Sequence, residues 1–518
     1  VIAGESHAER VADATNLARG SSLSLFGGVA GAVLATALVL VVTWGLGADA
    51  GGAFFEVVAL FNIAIVAVAL GADTGLVRFT SRSLALDSAE GRQNRLLLVG
   101  LIPVLGLGVL VAAVAILLSP SLGRSLGGDQ HAEAITNMIR VLAVFIPAGA
   151  LNLAVLGATR GYGTMLPTVA AERVGRPAIQ LILVGVAVLL GVSAAWLATA
   201  WAAGFLLSLI AGIAWLRRLR HRHESGPSPT KQSLGETIHE FWAFTLPRAL
   251  ASIFRVGVLW LDVILVGLLM SPRDVAIYTV ATRIVQAGYL ASDAIGQAVE
   301  PMFSSLLARG HADRTHNVYQ VATSWLISLT WPLFLAALIF APTILGLFGS
   351  DFTHSASVVA ILAVSALVGC GFGSIDILLV MAGKSLWSLW NSGASLATNL
   401  ALNLILIPSM GLTGAALAWA ISRLLSNLLP FLQMNRLLGI NPLGRRWGAA
   451  AGASVIAFGL IGVAMRLTLG GSVAVLVSYT VIAAAVYVGI LWTWRRPLEL
   501  TAFAGLIRGR IKRNGAKA

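Results

Sequence analysis

The chain has 518 residues, of which 58% are apolar and 11% charged, with a mean hydropathy of +0.88. A soluble chain of this length would divide into several domains, and this composition lacks the polar surface to coat them, so the sequence reads as an all-α polytopic membrane protein. Its formal net charge of +13 lies in short loops between apolar runs, where it sets membrane orientation; a nucleic-acid partner is excluded on that distribution.

Fourteen apolar segments are each able to cross the hydrocarbon as a helix of roughly 20 residues. Six fall at about 20–44, 53–77, 95–118, 133–157, 165–190 and 194–215. A polar interruption follows, WLRRLRHRHESGPSPTKQSLGETIHE at 215–240, carrying Arg217, Arg218, Arg220, Arg222 and Lys231. Six more spans are expected at about 241–269, 275–300, 317–340, 355–381, 386–408 and 412–434, then a final pair at about 447–465 and 471–493. The expected organisation is therefore an N-terminal six-helix lobe (1–215), a basic linker (216–240), a second six-helix lobe (241–440), helices 13 and 14 (441–494) and a basic tail (495–518) ending RGRIKRNGAKA.

Orientation follows from the loops. Outside the spans, 25 Lys and Arg fall on the side of the N-terminus and three, Arg124, Arg273 and Arg466, on the other. That asymmetry predicts both termini in the cytoplasm, in a multi-pass protein of the inner (cytoplasmic) membrane. Tryptophans at span ends, such as Trp44, Trp215, Trp242, Trp447 and Trp492, suit the headgroup layer.

The two lobes repeat one another. SAAWLATAWAAG at 193–204 answers GAALAWAISRLLS at 414–426, FFEVVALF at 54–61 answers IYTVATRI at 277–284, and RGYGTMLPTV at 160–169 answers MAGKSLWSLW at 381–390. An even number of spans separates the copies, so the expectation is two parallel bundles related by a pseudo-two-fold along the membrane normal, as in transporters that rock two halves about a central site.

Chemistry-bearing residues are sparse. The single cysteine, Cys370, offers no intrachain disulfide, and the eight histidines are scattered through expected loops and tails, so no metal or haem site is expected. No P-loop of the GxxxxGKS or GxxxxGKT form is present, no catalytic set is assigned, and the outward loops are too short for sugar chemistry, so the chain is read as no enzyme and no cofactor is expected. The first residues lack a signal-peptide pattern.

Ionisable groups inside spans are costly and mark candidate function. Arg248, Arg255 and Asp262 recur at steps of seven with Ser252 between them, which places them on one stripe of the seventh span. Gln286, Asp293 and Glu300 repeat the pattern in the eighth, beside Arg283 and Gln297. Arg173, Arg176 and Gln180 share a face of the fifth, where Glu172 can pair with Arg176. The second span adds Asn62, Asp73 and Arg78; later spans add Asn391, Ser395, Asn399 and Asn403, then Arg423 with Asn427. Such faces shun lipid and predict a hydrated cavity between two bundles. Arg255, near mid-membrane, is the leading substrate contact, because a guanidinium stays charged there and matches phosphate oxygens bidentately. Asp262, a carboxylate that could exchange a proton, is a candidate coupling site, or else a structural partner of Arg255 or Arg248.

The six-plus-six-plus-two plan, with LPRALASI opening the seventh span, SPRDVAIYTVATRI leading into the eighth and LNLILIPSMGLTGAALAWAISRL at 402–424, resembles the polysaccharide-transport (Wzx-like) oligosaccharide flippases of the multidrug/oligosaccharidyl-lipid/polysaccharide flippase superfamily. In the last stretch a helix is expected to end at Ile407 and Pro408. The resemblance spans about 16–493. It implies alternating-access transfer of a polyprenyl-(di)phosphate-linked oligosaccharide from inner to outer leaflet for cell-surface polysaccharide. It further implies that Arg78, Arg173, Arg176, Arg248, Arg255, Arg283 and Arg423 engage the anionic head, with H+ or Na+ coupling at Asp262, Asp73, Asp293 or Glu300. Partners are then the lipid-linked glycan, membrane lipids and envelope polymerases or glycosyltransferases. A lipid II flippase and an ion-coupled drug antiporter of the same superfamily are the alternatives.

Overall fold

In a computed structural model, described over residues 7–85, 90–222, 234–308 and 310–494, every regular element is helical. Within these ranges some side chains fall outside the description, among them those of residues 7–26 and of Arg248, Arg255, Asp293 and Gln297. The order is α1 (His7–Ala69), α2 (Ala72–Ala85), α3 (Glu90–Gly161), a π-helical segment (Thr168–Gly175) running into α4 (Arg176–Leu189), α5 (Ala194–Arg222), α6 (Leu234–Leu269) and α7 (Pro272–Ala308). Then come α8 (Ala312–Ile339), the short α9 (Ala341–Gly346), a 3-10 turn (Ser350–Ser355), α10 (Ala356–Gly371), α11 (Ile375–Met381), α12 (Ser385–Met410) and α13 (Leu412–Leu438). The chain closes with α14 (Arg445–Ser454), a second π-helical segment (Val455–Leu460), α15 (Ile461–Leu469) and α16 (Val473–Thr493).

Among the described residues eleven helices are long and apolar enough to cross a membrane, against the fourteen spans expected. The difference has local causes. The run Gly27–Leu84 covers the first two expected spans, because α1 continues through a kink at Gly47 (φ 74°) and only the turn at Leu70 and Gly71 precedes α2. The fifth expected span is divided between the π-helical segment and α4, and the eighth, α7, carries the polar ladder of Gln286, Asp293 and Glu300. Helix is the form throughout because lipid offers backbone groups no partner. Pro408 does not end its helix: α12 continues to Met410, and the chain turns at Gly411, whose positive φ of 59° is open to glycine and whose N–H reaches the Ile407 carbonyl at 2.8 Å. Several histidines, including His131, His239 and His316, lie within helices, contrary to expectation, since the helices extend beyond the apolar runs.

Contacts divide the chain into two compact units, Val1–Val280 with Leu400–Ala415, and Ala281–Asn399 with Ala416–Ala518. In the first, α3 packs on α1, α2 and α5, and α6 lies against α1, α2 and α3. Its aromatic centre is Trp201, edge-on to Phe54, Phe61 and Phe205 with ring centroids 6.1, 5.5 and 5.2 Å away. In the second, the C-terminal helices are fastened to α8: the Tyr487 hydroxyl donates to the Ser328 carbonyl at 2.8 Å, and Tyr479, stacked on Phe340 at 4.8 Å, donates to the Phe458 carbonyl.

Candidate functional site: buried polar sets on the membrane helices

The first set surrounds Glu172 in the π-helical segment, where widened helical winding is a frequent mark of function. Its carboxylate accepts from Asn152 Nδ2 at 2.7 Å, from the Ser208 hydroxyl at 3.2 Å and from Arg176 Nε at 2.8 Å. Arg176 also donates to Gln180 Oε1 at 3.1 Å and lies 4.4 Å over the Phe205 ring, while Gln180 Nε2 donates to the Trp201 carbonyl at 3.0 Å. The expected i,i+4 pair is thus present, and much of the hydrogen-bonding capacity of Arg176 is taken up inside the protein. Asn152 and Ser208 belong to this set although the sequence pattern did not flag them, since each is a lone polar residue in an apolar run.

The second set is centred on Asp262, which is 2% exposed. Its Oδ2 accepts from the Tyr278 hydroxyl at 3.0 Å and its Oδ1 from Asn403 Nδ2 at 2.7 Å. Two of the groups that hold this carboxylate are thus neutral donors, one on α7 and one on α12. Arg248, Arg255, Asp293 and Gln297, assigned to the same and the following stripe, have side chains outside the described residues.

The remaining candidates are dispersed. Asp73 is bridged to Arg160 at 3.4 Å, and Asn62 bonds its own helix at the Val58 carbonyl. Arg78 is exposed and lies 4.0 Å over the Phe244 ring. Arg173 is half-buried, Glu300 is exposed, and Arg283 donates along its own helix to Gln286 Oε1 at 3.0 Å. Arg423 lies 4.8 Å over the Tyr289 ring, and its buried Nε has no hydrogen-bond partner among the described residues. Asn391 pairs reciprocally with Gln433 at 2.8 and 3.0 Å, while Asn399 and Asn403 are fully buried below it on α12. Among the described residues no group of His, Cys, Asp and Glu is placed to hold a metal. Outside the spans, burial pushes the Tyr162 hydroxyl up while the Arg220 guanidinium pulls it back, and the phenol donates to Gln93 Oε1 at 3.0 Å.

One residue was hidden by its neighbours. Glu56, inside the repeat marker FFEVVALF, is fully buried, and neither carboxyl oxygen has a hydrogen-bond partner among the described residues. Its signal in the sequence is a solitary acid just inside an apolar run, with no periodic companion to draw attention.

Comparison with known proteins places this architecture. A family model described as "MatE" matches residues 247–405, and one described as "Polysaccharide biosynthesis protein" matches residues 17–307, more than half of the chain. Two curated proteins of Haloferax volcanii are similar: "Probable low-salt glycan biosynthesis flippase Agl15", 28% identical over 48% of this chain and 53% of that protein, and "Probable flippase AglR", 27% identical over 40% and 45%. The chain thus spans about half the length of the curated relatives it matches. The fold is shared with "Lipid II flippase MurJ, inward closed conformation", at a TM-score of 0.69 and 12% identity over 94% of this chain and 99% of that one. It is shared also with an inward-facing multidrug resistance MATE family transporter, at 0.66 and 17% over 81% and 98%. With the polysaccharide biosynthesis model covering more than half of it, the chain belongs to the polysaccharide biosynthesis protein family, as a multi-pass membrane protein that shares its fold with the MATE and MurJ structures.

Proposed function

We propose that this protein is an alternating-access flippase that carries a polyprenyl-diphosphate-linked oligosaccharide from the inner to the outer leaflet of the cytoplasmic membrane. The coarser statement stands on the family: this is transport of a lipid-linked glycan or small molecule, and not catalysis. The finer one is supported chiefly by Arg423, an intramembrane guanidinium braced on an aromatic ring, its Nε unbonded among the described residues. A group of that kind suits a diphosphate and repels a cationic drug. Arg255, Arg248, Arg173, Arg176, Arg78 and Arg283 complete the proposed cationic path, and the names of the two archaeal relatives favour a glycan as cargo.

In this reading fourteen spans form two six-helix lobes, 1–215 and 241–440, with helices 13 and 14 beside them and both termini cytoplasmic. The test is reconstitution in vesicles with a fluorescent polyprenyl-diphosphate chitobiose on one leaflet. Arg255→Ala and Arg423→Ala, each correctly inserted, are expected to slow its transfer at least about tenfold. Unchanged transfer, or robust uptake of a cationic dye by both variants, would overturn the assignment of the diphosphate to these arginines.

A further inference from the structure

Glu56 occupies a buried seat that offers a charge no partner among the described residues. It lies four residues after Gly52 on α1, so both occupy one face. That face is flush with backbone. A Cβ added to Gly52 would stand 1.4 Å from the Pro272 carbonyl oxygen, and one added to Gly267 would stand 1.5 Å from Glu56 Oε1. Gly267 belongs to the last turn of α6, which ends at Leu269. The carboxyl is therefore pressed against the last turn of α6, fully buried, and neither of its oxygens has a hydrogen-bond partner among the described residues. An ionised carboxylate buried in this way is so unfavourable that the group gives up its charge.

No charged neighbour rescues it among the described residues. On α6 the next ionisable group is Asp262, held by Tyr278 and Asn403; α7 opens with Arg273, exposed, and Asp274, which accepts from the Ser271 hydroxyl at 2.6 Å. On α3, Arg124, Glu133 and Arg140 are exposed, and on the π-helical segment and α4, Glu172 and Arg176 bond one another beside a half-buried Arg173. The charges of α5 begin at Arg217, and Asp49 on α1 itself is exposed. A sodium ion would require a cage of oxygen ligands, as hard cations do. A proton requires the carboxyl alone.

We infer that Glu56 is the proton-binding group of this transporter, protonated while α1 is seated on the ends of α6 and α7 and ionised when that contact opens. Opening lets water reach the acid, the O–H bond breaks, and the proton leaves as hydronium. The carboxylate cannot return to the last turn of α6 until a proton is restored. Reseating thereby becomes a proton-consuming step, which makes H+ the coupling ion and assigns it to Glu56 and not to Asp262, Asp73, Asp293 or Glu300. The link to cargo rests on the transport reading above; the proton site does not.

The test uses the full chain in nanodiscs, titrated from acid to alkaline pH and followed by infrared difference spectroscopy in sodium and in choline buffer. The wild type is expected to show a protonated-carboxyl band that is lost on alkalinisation, identically in both buffers, and Glu56→Gln is expected to lack it. A band that persists in Glu56→Gln, no band in the wild type, or a titration displaced by sodium would each overturn the inference. Should Glu56→Gln fail to fold, Glu56→Asp keeps the acid one methylene shorter, and its band must be displaced; an undisplaced band counts against Glu56. In vesicles carrying the fluorescent chitobiose lipid, acid-driven transfer by Glu56→Gln is expected to fall at least about tenfold. A band lost in Glu56→Gln alongside a wild type that moves no glycan lipid would sink the flippase reading and leave the proton site standing.

Discussion

Two glutamates in the same compact unit, Glu172 half-buried and Glu56 fully buried, have opposite surroundings. Glu172 is met by an amide, a hydroxyl and a guanidinium, whereas Glu56 is met by the bare backbone of Gly267. The first arrangement supports a charge and ties three elements together, since α3, α5 and α4 each supply a donor. The second supports no charge at all. The acid with no partner among the described residues is therefore the better place to look for coupling.

The contrast can be broken most forcefully at Glu172. Glu172→Ala should lower stability by about 3 kcal/mol, because it strands Arg176 and two polar groups in the interior; Glu56→Gln should leave thermal unfolding in detergent nearly unchanged. Equal losses in the two variants would mean that Glu56 is a structural group. Gly267→Ala comes next. Its added methyl collides with Glu56, and overpacking of this sort lowers stability by about 1–3 kcal/mol. Glu56→Ala in the same chain should relieve most of that loss, and a double-mutant cycle that finds the two changes additive would show that the side chain and the glycine are not in contact.

Asp262→Asn is expected to do less. The amide keeps one acceptor and loses the other, for about 1 kcal/mol, and the proton released on alkaline titration should stay at the wild-type amount. A smaller release would return the coupling role to Asp262. The mildest change is Arg78→Ala: its contact with Phe244 is exposed and is worth about 0.5 kcal/mol, so unfolding should scarcely move, and slowed glycan transfer alone would mark Arg78 as part of the cationic path.

Local spacing carried a good part of this site. Glu172 and Arg176 are one helical turn apart, so their pairing could be read without a fold, and the steps of four on α12 likewise place Asn391, Asn399 and Asn403 on one face. The partners of Asp262 could not be read in that way. Tyr278 and Asn403 come from two other helices, which no spacing along α6 can name.

Composition, loop charge and the lengths of apolar runs by themselves determined that this is an all-helical membrane protein, because lipid admits so few ways to satisfy a backbone. They located the kinks less well, since glycine at 47 and proline at 408 are equally legible and only the glycine at 411, not the proline, turns the chain. Tertiary structure alone decided which buried charges are answered. Whether an acid is ionised depends on the groups that other helices bring within about 3 Å of it, and for Glu56 what decides the matter is a glycine more than two hundred residues away in the sequence, whose missing side chain leaves room for the carboxyl and nothing to bond it.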